Sequence, residues 1–426
     1  MRRDRAAGRP GGAGWNAVGL RSLAIHTVIV GLVGAFVLGA LLLAALAGFD
    51  AGTTQSSSSA PPAAVPVAPA RAHVISAVVS GAAWQERTVT RLSPLMMSTA
   101  VDPSARAAYE VVARRPGGTG PFRLWRIGLA AGSARVTGVA RRGPVFPVSA
   151  VSVAGGFVWV SGELSAGPSA SASSRLVLYQ VNPRTLAILA SWRGLGAPGR
   201  YAPVSVAAGP ARTVWAGFGG TLLQLRTRSG GTVRQVRLPA GLLATDIAVD
   251  PAARYLYVAG AGPLGGVTAL EYAAGTGRLL ATAARSPLRF SVGGAALTAV
   301  PGGVWASFRT GLLGQTVLLR RPGLGSVPLP ASYLPGVPPA SARPDFYSYA
   351  MGASTSYGGG ALWLSQGTSG LTGCVAPGTG QVRSVATLRR LADGGELLGV
   401  RPSAREVFAA GPSGLIVITA PARCWR

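Results

Sequence analysis

One aromatic residue returns along this chain at a near-constant interval, each time on a short apolar strand just after a turn. Three of the turns are close copies. Asp102-Pro103-Ser104-Ala105-Arg106 leads to Tyr109, Asp250-Pro251-Ala252-Ala253-Arg254 to Tyr257, and Arg401-Pro402-Ser403-Ala404-Arg405 to Phe408. A second form uses glycine: Gly155-Gly156 precedes Trp159, Gly302-Gly303 precedes Trp305 and Gly359-Gly360 precedes Trp363, with Pro210-Ala211-Arg212 before Trp215 as a variant. Successive marks are 50, 56, 42, 48, 58 and 45 residues apart. A unit of that length, made of several short strands, buries its faces only against like neighbours. Seven marks therefore predict an all-β, seven-bladed β-propeller of four-stranded antiparallel blades, with Tyr109, Trp159, Trp215, Tyr257, Trp305, Trp363 and Phe408 as the structural blade core.

The fourth unit shows the four strands: Asp246 to Asp250, Tyr255 to Ala259, Val267 to Tyr272 and Arg278 to Ala283. The 61 glycines and 32 prolines suit so many tight turns. The last unit ends after its third strand, near Leu415 to Ala420. Residues 86–92 (ERTVTRL) form a spare alternating strand ahead of the first unit, and are expected to close the ring and remove an exposed edge.

The phrase Asp250 to Val258, Asp-Pro-x-x-Arg-x-Leu-Tyr-Val, resembles the repeat of the bacterial YVTN-type propellers, which overlap with quinoprotein-like and NHL-type repeats. The Val-Trp strands also resemble streptogramin-lyase-like blades. The whole is similar to membrane-anchored propellers of the actinobacterial type. The resemblance covers about residues 86–426 and implies the fold. Enzymes among such relatives use His, carboxylate or Asn side chains, often with a divalent metal, and few such groups occur here.

Counting tests the chemistry. Beyond residue 50 stand one histidine, His73, one asparagine, Asn182, and eleven scattered carboxylates. A zinc site or a Ser-His-Asp triad needs more than that, so no catalytic residue, metal or cofactor is assigned. Asp246 sits on an inner strand facing the presumed channel and reads as satisfied structural polarity. Asp345 is the other acid suggestive of a channel mouth. Asp393 and Glu396 read as a solvated pair in a glycine-containing loop. Cys374 and Cys424 are the only cysteines and are the candidate disulfide.

All 40 basic residues are arginine, against 13 acidic ones, giving a net charge of +27. A GC-rich genome accounts for an all-Arg complement, so a solvated turn residue is the simplest reading of each. Arg106, Arg254 and Arg405 nevertheless recur at one repeat position, and Arg212 lies in the equivalent turn. These four are the candidate anion- or partner-binding residues.

The N-terminal part reads as a membrane signal. Residues 22–49 hold no Asp, Glu, Arg or Lys over 28 positions, longer as a helix than the ~30 Å hydrocarbon core. Arg2, Arg3, Arg5, Arg9 and Arg21 precede it against one Asp4, so residues 1–21 form a basic cytoplasmic tail and the rest lies outside. Cleavage near Ala47, giving a secreted protein, is the alternative. Residues 50–72, rich in Ser, Pro and Ala, form an extended linker before a propeller domain at 73–426. That topology argues against nucleic acid as a partner.

The expectation is a monomeric, non-catalytic extracellular propeller, serving as a binding or scaffold module at the cell envelope. Its partner would be an envelope protein or an anionic cell-wall polymer. A propeller-type hydrolase or lyase, and a sensor or assembly subunit of a membrane complex, are the alternatives.

Overall fold

The computed structural model describes His73–Val74 and residues 84–425, except for connecting residues 91–95, 113–120, 131–132, 145–147, 165–174, 196–204, 263–265, 284–290, 311–312, 328, 330–331, 334–347, 350–352, 367–368 and 393. The tail at 1–21, the apolar run at 22–49, the linker at 50–72, Asp345 and Asp393 lie outside the described residues. Among the described residues, no helix is long and apolar enough to cross a membrane.

Seven antiparallel sheets form the domain. Blade 1 spans residues 96–144, blade 2 148–195, blade 3 205–237, blade 4 243–282, blade 5 291–327 and blade 6 353–387. Blade 7 takes its inner three strands from Glu396–Arg401, Glu406–Gly411 and Gly414–Thr419, and its outer strand from Gln85–Thr90. The closing strand expected at 86–92 is therefore present, shifted by a residue or two. Its ladder runs from Gln85 opposite Thr419 to Thr90 opposite Leu415. Inner strands of successive blades touch all the way round, blade 7 against blade 1 included. The fold is a closed seven-bladed β-propeller.

The aromatic marks explain why the ring closes. All seven rings are at most 1 % exposed, each on the second strand of its blade. On the inner strand their direct partners are Ala100, Ser152, Ala207, Ala248, Thr298, Ser356 and Gly399. Every partner is small because sheets converge toward the axis and leave no room for a second large side chain. The aromatic fills the wider space one strand out, where a large ring buries the most apolar area.

Hydrogen bonds, an ion pair or a disulfide then tie each of blades 1 to 6 to the next. Tyr109 Oη donates to the Pro183 carbonyl of blade 2 at 3.1 Å, Trp215 Nε1 to Ala274 of blade 4 at 3.0 Å, and Trp305 Nε1 to Pro377 of blade 6 at 2.8 Å. These carbonyls occupy equivalent places in the turn between the third and outer strands. In blades 2, 4 and 6, where the aromatic does not make this bond, its third-strand neighbour carries the tie; in blade 7 both Phe408 and its neighbour Val417 are apolar. Gln180, opposite Trp159, donates to the Thr227 carbonyl of blade 3. Glu271, opposite Tyr257, pairs with Arg321 of blade 5 at 2.5 Å. Cys374, opposite Trp363, is bonded to Cys424 beyond blade 7. One register position thus carries an amide, an ion pair or a disulfide according to the joint.

Both ends of the domain are fastened to blade 6. Trp425 stacks on Trp363 with ring centroids 4.7 Å apart, and Trp84 meets the same ring edge-on at 6.2 Å. Ser384 accepts hydrogen bonds from Trp84 Nε1 at 2.9 Å and from Arg423 at 3.1 Å. The short turn Ala422–Trp425 takes the place of a turn that blade 7, interrupted by the chain ends, does not have.

Candidate functional site

Two places gather chemistry-bearing side chains: the central axis, and the end of the ring formed by the turns. At the axis, counting two residues beyond the aromatic along the second strand defines one inner-strand partner per blade. These partners are Ser98, Ala150, Ser205, Asp246, Ala296, Ser354 and Glu396. Four of the polar members bond the neighbouring inner strand. Ser98 accepts from the Val151 amide at 3.1 Å, Ser205 from Ile247 at 3.3 Å, Asp246 from Leu297 at 2.7 Å and Ser354 from Leu397 at 2.7 Å. The amide is always that of the residue following the equivalent position in the next blade. An inner strand has no ladder partner on its axial side, so those amides would otherwise go unpaired.

Asp246 carries the heaviest share. Its Oδ1 takes the Ser205 hydroxyl at 2.5 Å and the Ile247 amide at 2.8 Å, while Oδ2 takes Leu297. The carboxylate spans blades 3, 4 and 5. Desolvation raises its pKa to about 6, against the opposing pull of those hydrogen bonds. Glu396 occupies the same ring position in blade 7. It is exposed toward the axis, yet the ring wall displaces enough water from around its carboxyl to raise its pKa, and the charge of Asp246 adds to the rise. The two carboxylates therefore face a shared lumen. This corrects the loop assigned to Glu396 from the adjacent glycines: it is the first residue of an inner strand. Among the described residues, no three His, Cys, Asp or Glu side chains cluster as metal ligands.

A raised folded pKa fixes the sign of the pH dependence. Between the unfolded value of 3.8 and about 6 the folded state binds more protons, so stability falls as pH rises through that window. Two units correspond to at most about 3 kcal/mol at about 1.4 each, reduced by water in the lumen. Thermal unfolding of the protein and of Asp246→Asn, followed from pH 4 to pH 7, is expected to show a decline in Tm with pH that the variant largely lacks. Parallel curves would remove Asp246 as its source.

At the turn end, antiparallel pairing brings the first-to-second turns and, in blades 2 to 6, the third-to-outer turns to one face. Arg106, Arg212, Arg254 and Arg405 are all exposed there, in blades 1, 3, 4 and 7. Three of them hold the left-handed conformation themselves, with φ of 47° at Arg106, 57° at Arg212 and 54° at Arg405; in blade 4 it falls on Ala253 instead. Carboxylates in the same turns are engaged locally. Asp102 Oδ1 accepts the Ser104 and Ala105 amides at 3.0 Å each, Asp250 those of Arg254 and Tyr255, and Glu406 pairs with Arg401. The four arginines stay exposed, Arg254 with its guanidinium 5.7 Å from the centre of the Tyr255 ring. Arg184, Arg228 and Arg278, in the third-to-outer turns of blades 2, 3 and 4, are exposed on the same face. A recurring turn marked the first four; of the others, Arg184 and Arg228 share one position of the third-to-outer turn and Arg278 occupies another, and all three escaped the sequence reading.

No protein-family model matches the chain, and no curated protein does. Solved structures do match. The hydrazine synthase of Kuenenia stuttgartiensis aligns with a TM-score of 0.52 at 10% identity, covering 79% of this chain and 98% of that one. The WD40 domain of Neurospora crassa Pan2 aligns at 0.47, also at 10% identity, over 80% and 96%. The first likeness is one of fold. No family is assigned by it, and the YVTN-type resemblance stays at the level of the repeat.

Proposed function

We propose that the protein is a non-catalytic binding module held at the cell envelope, with its propeller outside the membrane and its arginine-bearing turn face presented to an anionic envelope partner. The observation that carries this reading is the placement of Arg106, Arg212, Arg254 and Arg405, exposed on one face while the carboxylates of their own turns are engaged by local bonds. Arginine's fork suits phosphate and carboxylate groups, and a field of one sign speeds capture of a charged polymer. Two features support the location. The apolar run at 22–49 follows a basic tail, and the Cys374–Cys424 bond belongs in an oxidising compartment.

Replacing Arg106, Arg212, Arg254 and Arg405 together by glutamine is expected to weaken capture of inorganic polyphosphate by about tenfold or more, and to flatten its salt dependence. Undiminished capture by the quadruple variant would overturn the reading.

A hydrolytic role draws on one observation: the paired axial carboxylates, Asp246 and Glu396, both have raised pKa values. Against it, both oxygens of Asp246 already accept hydrogen bonds from the ring wall.

A further inference from the structure

The outer strands repeat a defect. In blade 2, Gln180 faces Ala190 while the next residue, Val181, faces Ile188, leaving Leu189 unpaired between them. In blade 3, Gln224 faces Arg234 and Leu225 faces Thr232, leaving Val233. In blade 4, Glu271 faces Ala281 and Tyr272 faces Leu279, leaving Leu280. In these three blades the bulge sits opposite the same third-strand position. In blade 6 the same slot holds Arg383. A bulge re-aims its extra side chain away from the ladder, and here it aims outward. Leu189 is 52% exposed, Val233 40% and Leu280 38%, with Leu279 beside it at 43%. Among the described residues, these four are all of the large hydrophobic side chains that face solvent.

Their position in the strand matters as much as their exposure. Each lies at the start of its outer strand, at the end of the ring that bears the arginines. Neighbouring blades interleave there. A Cβ on Gly230, in the turn of blade 3 that holds Arg228, would stand 2.8 Å from Ala190 Cβ in the outer strand of blade 2. Exposed Arg184, Arg228 and Arg278 therefore alternate with exposed Leu189, Val233 and Leu280 around one corner of three consecutive blades. No Asp or Glu occurs in residues 182–195, 227–237 or 274–282, which make up that corner.

We propose that this corner docks on an anionic lipid surface, the arginines meeting headgroup phosphates and the bulged leucines and valine entering the interface between them. The proposal rests on the arginine face binding anions and names the partner for that part of it. A soluble polyanion offers the apolar side chains nothing to enter. A protein partner favours a contiguous apolar core, whereas small apolar points set apart by charge, one residue in each of blades 2 and 3 and the pair Leu279 and Leu280 in blade 4, suit a fluid interface that receives each separately.

The test uses the full chain reconstituted in vesicles, with an environment-sensitive dye on Val233→Cys. The native cysteines are bonded and buried, so the new thiol labels alone. The expected result is dye emission shifted to the blue, and quenching by spin-labelled lipid, in phosphatidylglycerol vesicles. Both signals should be absent in phosphatidylcholine vesicles and lost when Leu189→Ser and Leu280→Ser are added. Equal signals in both lipids, or signals indifferent to the two serines, overturn the proposal. No signal in either lipid, with polyphosphate still captured through the arginines, overturns lipid docking and leaves the anion-binding face standing. No signal and no polyphosphate capture overturns both. A signal that appears only with an added envelope protein replaces the lipid by a protein partner.

Discussion

A chain shortened to begin at residue 95 is expected to give no soluble, cooperatively folding ring. The missing residues include the outer strand Gln85–Thr90, and with it the partner of Gly414–Thr419. That strand reads GLIVIT and is buried over its first five residues. Stripped of its neighbour, it becomes a flat apolar edge with unpaired amides and carbonyls, the feature that templates edge-to-edge association. Trp84 goes too, leaving a gap over Trp363 and depriving Ser384 of the indole donor. A milder variant separates the two losses. Trp84→Ala keeps the strand and should cost about 3–5 kcal/mol, the usual range for truncating a buried tryptophan, seen as a lower Tm with the ring intact. Size-exclusion chromatography and thermal unfolding read both. A monodisperse truncated protein with unchanged Tm would mean the ring does not need its closing strand.

The second large effect is expected from the Cys374–Cys424 bond. Both cysteines are 0% exposed, and the bond joins the third strand of blade 6 to the turn after blade 7 across 50 residues. Cross-linking a loop of that size restricts the unfolded chain, and removal of a native disulfide costs about 2–5 kcal/mol. Cys374→Ser and Cys424→Ser should each reach the same lowered Tm, and the double variant should add little, because one bond is lost in every case. Tryptophan fluorescence should change alongside, since Trp425 lies next to Cys424 and stacks on Trp363. A double variant as stable as the parent would show that the ring holds without the covalent tie.

The blade count was legible because the aromatic marks answer to one physical need, filling the wide part of a tapering interface, and no other residue class meets it. The axial ring was not. From the aromatic back to the ring position is 11 residues for Tyr109 and Ser98, 9 for Trp159 and Ala150, 10 for Trp215 and Ser205, and 12 for Phe408 and Glu396. Glycine turns are short, Pro-x-x-Arg turns are longer, and blade 7 carries a bulge between Leu397 and Gly399. A fixed offset therefore fails, and Glu396 passed for a loop residue. Alternation along the inner strand pointed toward Asp246 but gave no sign that it would accept from two blades at once. Bulges at Leu189, Val233 and Leu280 leave no mark in local sequence, since the extra residue is defined only by its missing partner. Likewise, Trp84 and Trp425 are far apart in the chain and meet only because ring closure brings both ends to blade 6.

The pairing of Gln85 with Thr419 spans 334 residues. The outer strand of blade 7 leaves the ribosome ahead of all six other blades and waits for the third strand of its own blade before either is satisfied. Until then six sheets can assemble in order as they emerge, each leaning on its predecessor, while the arc stays open at both ends. Completion is thus a single late event that depends on the whole chain having been delivered to one compartment. A protein stalled or cut short at its C-terminus would expose two sticky flanks and should be met by quality control rather than found as a partial ring.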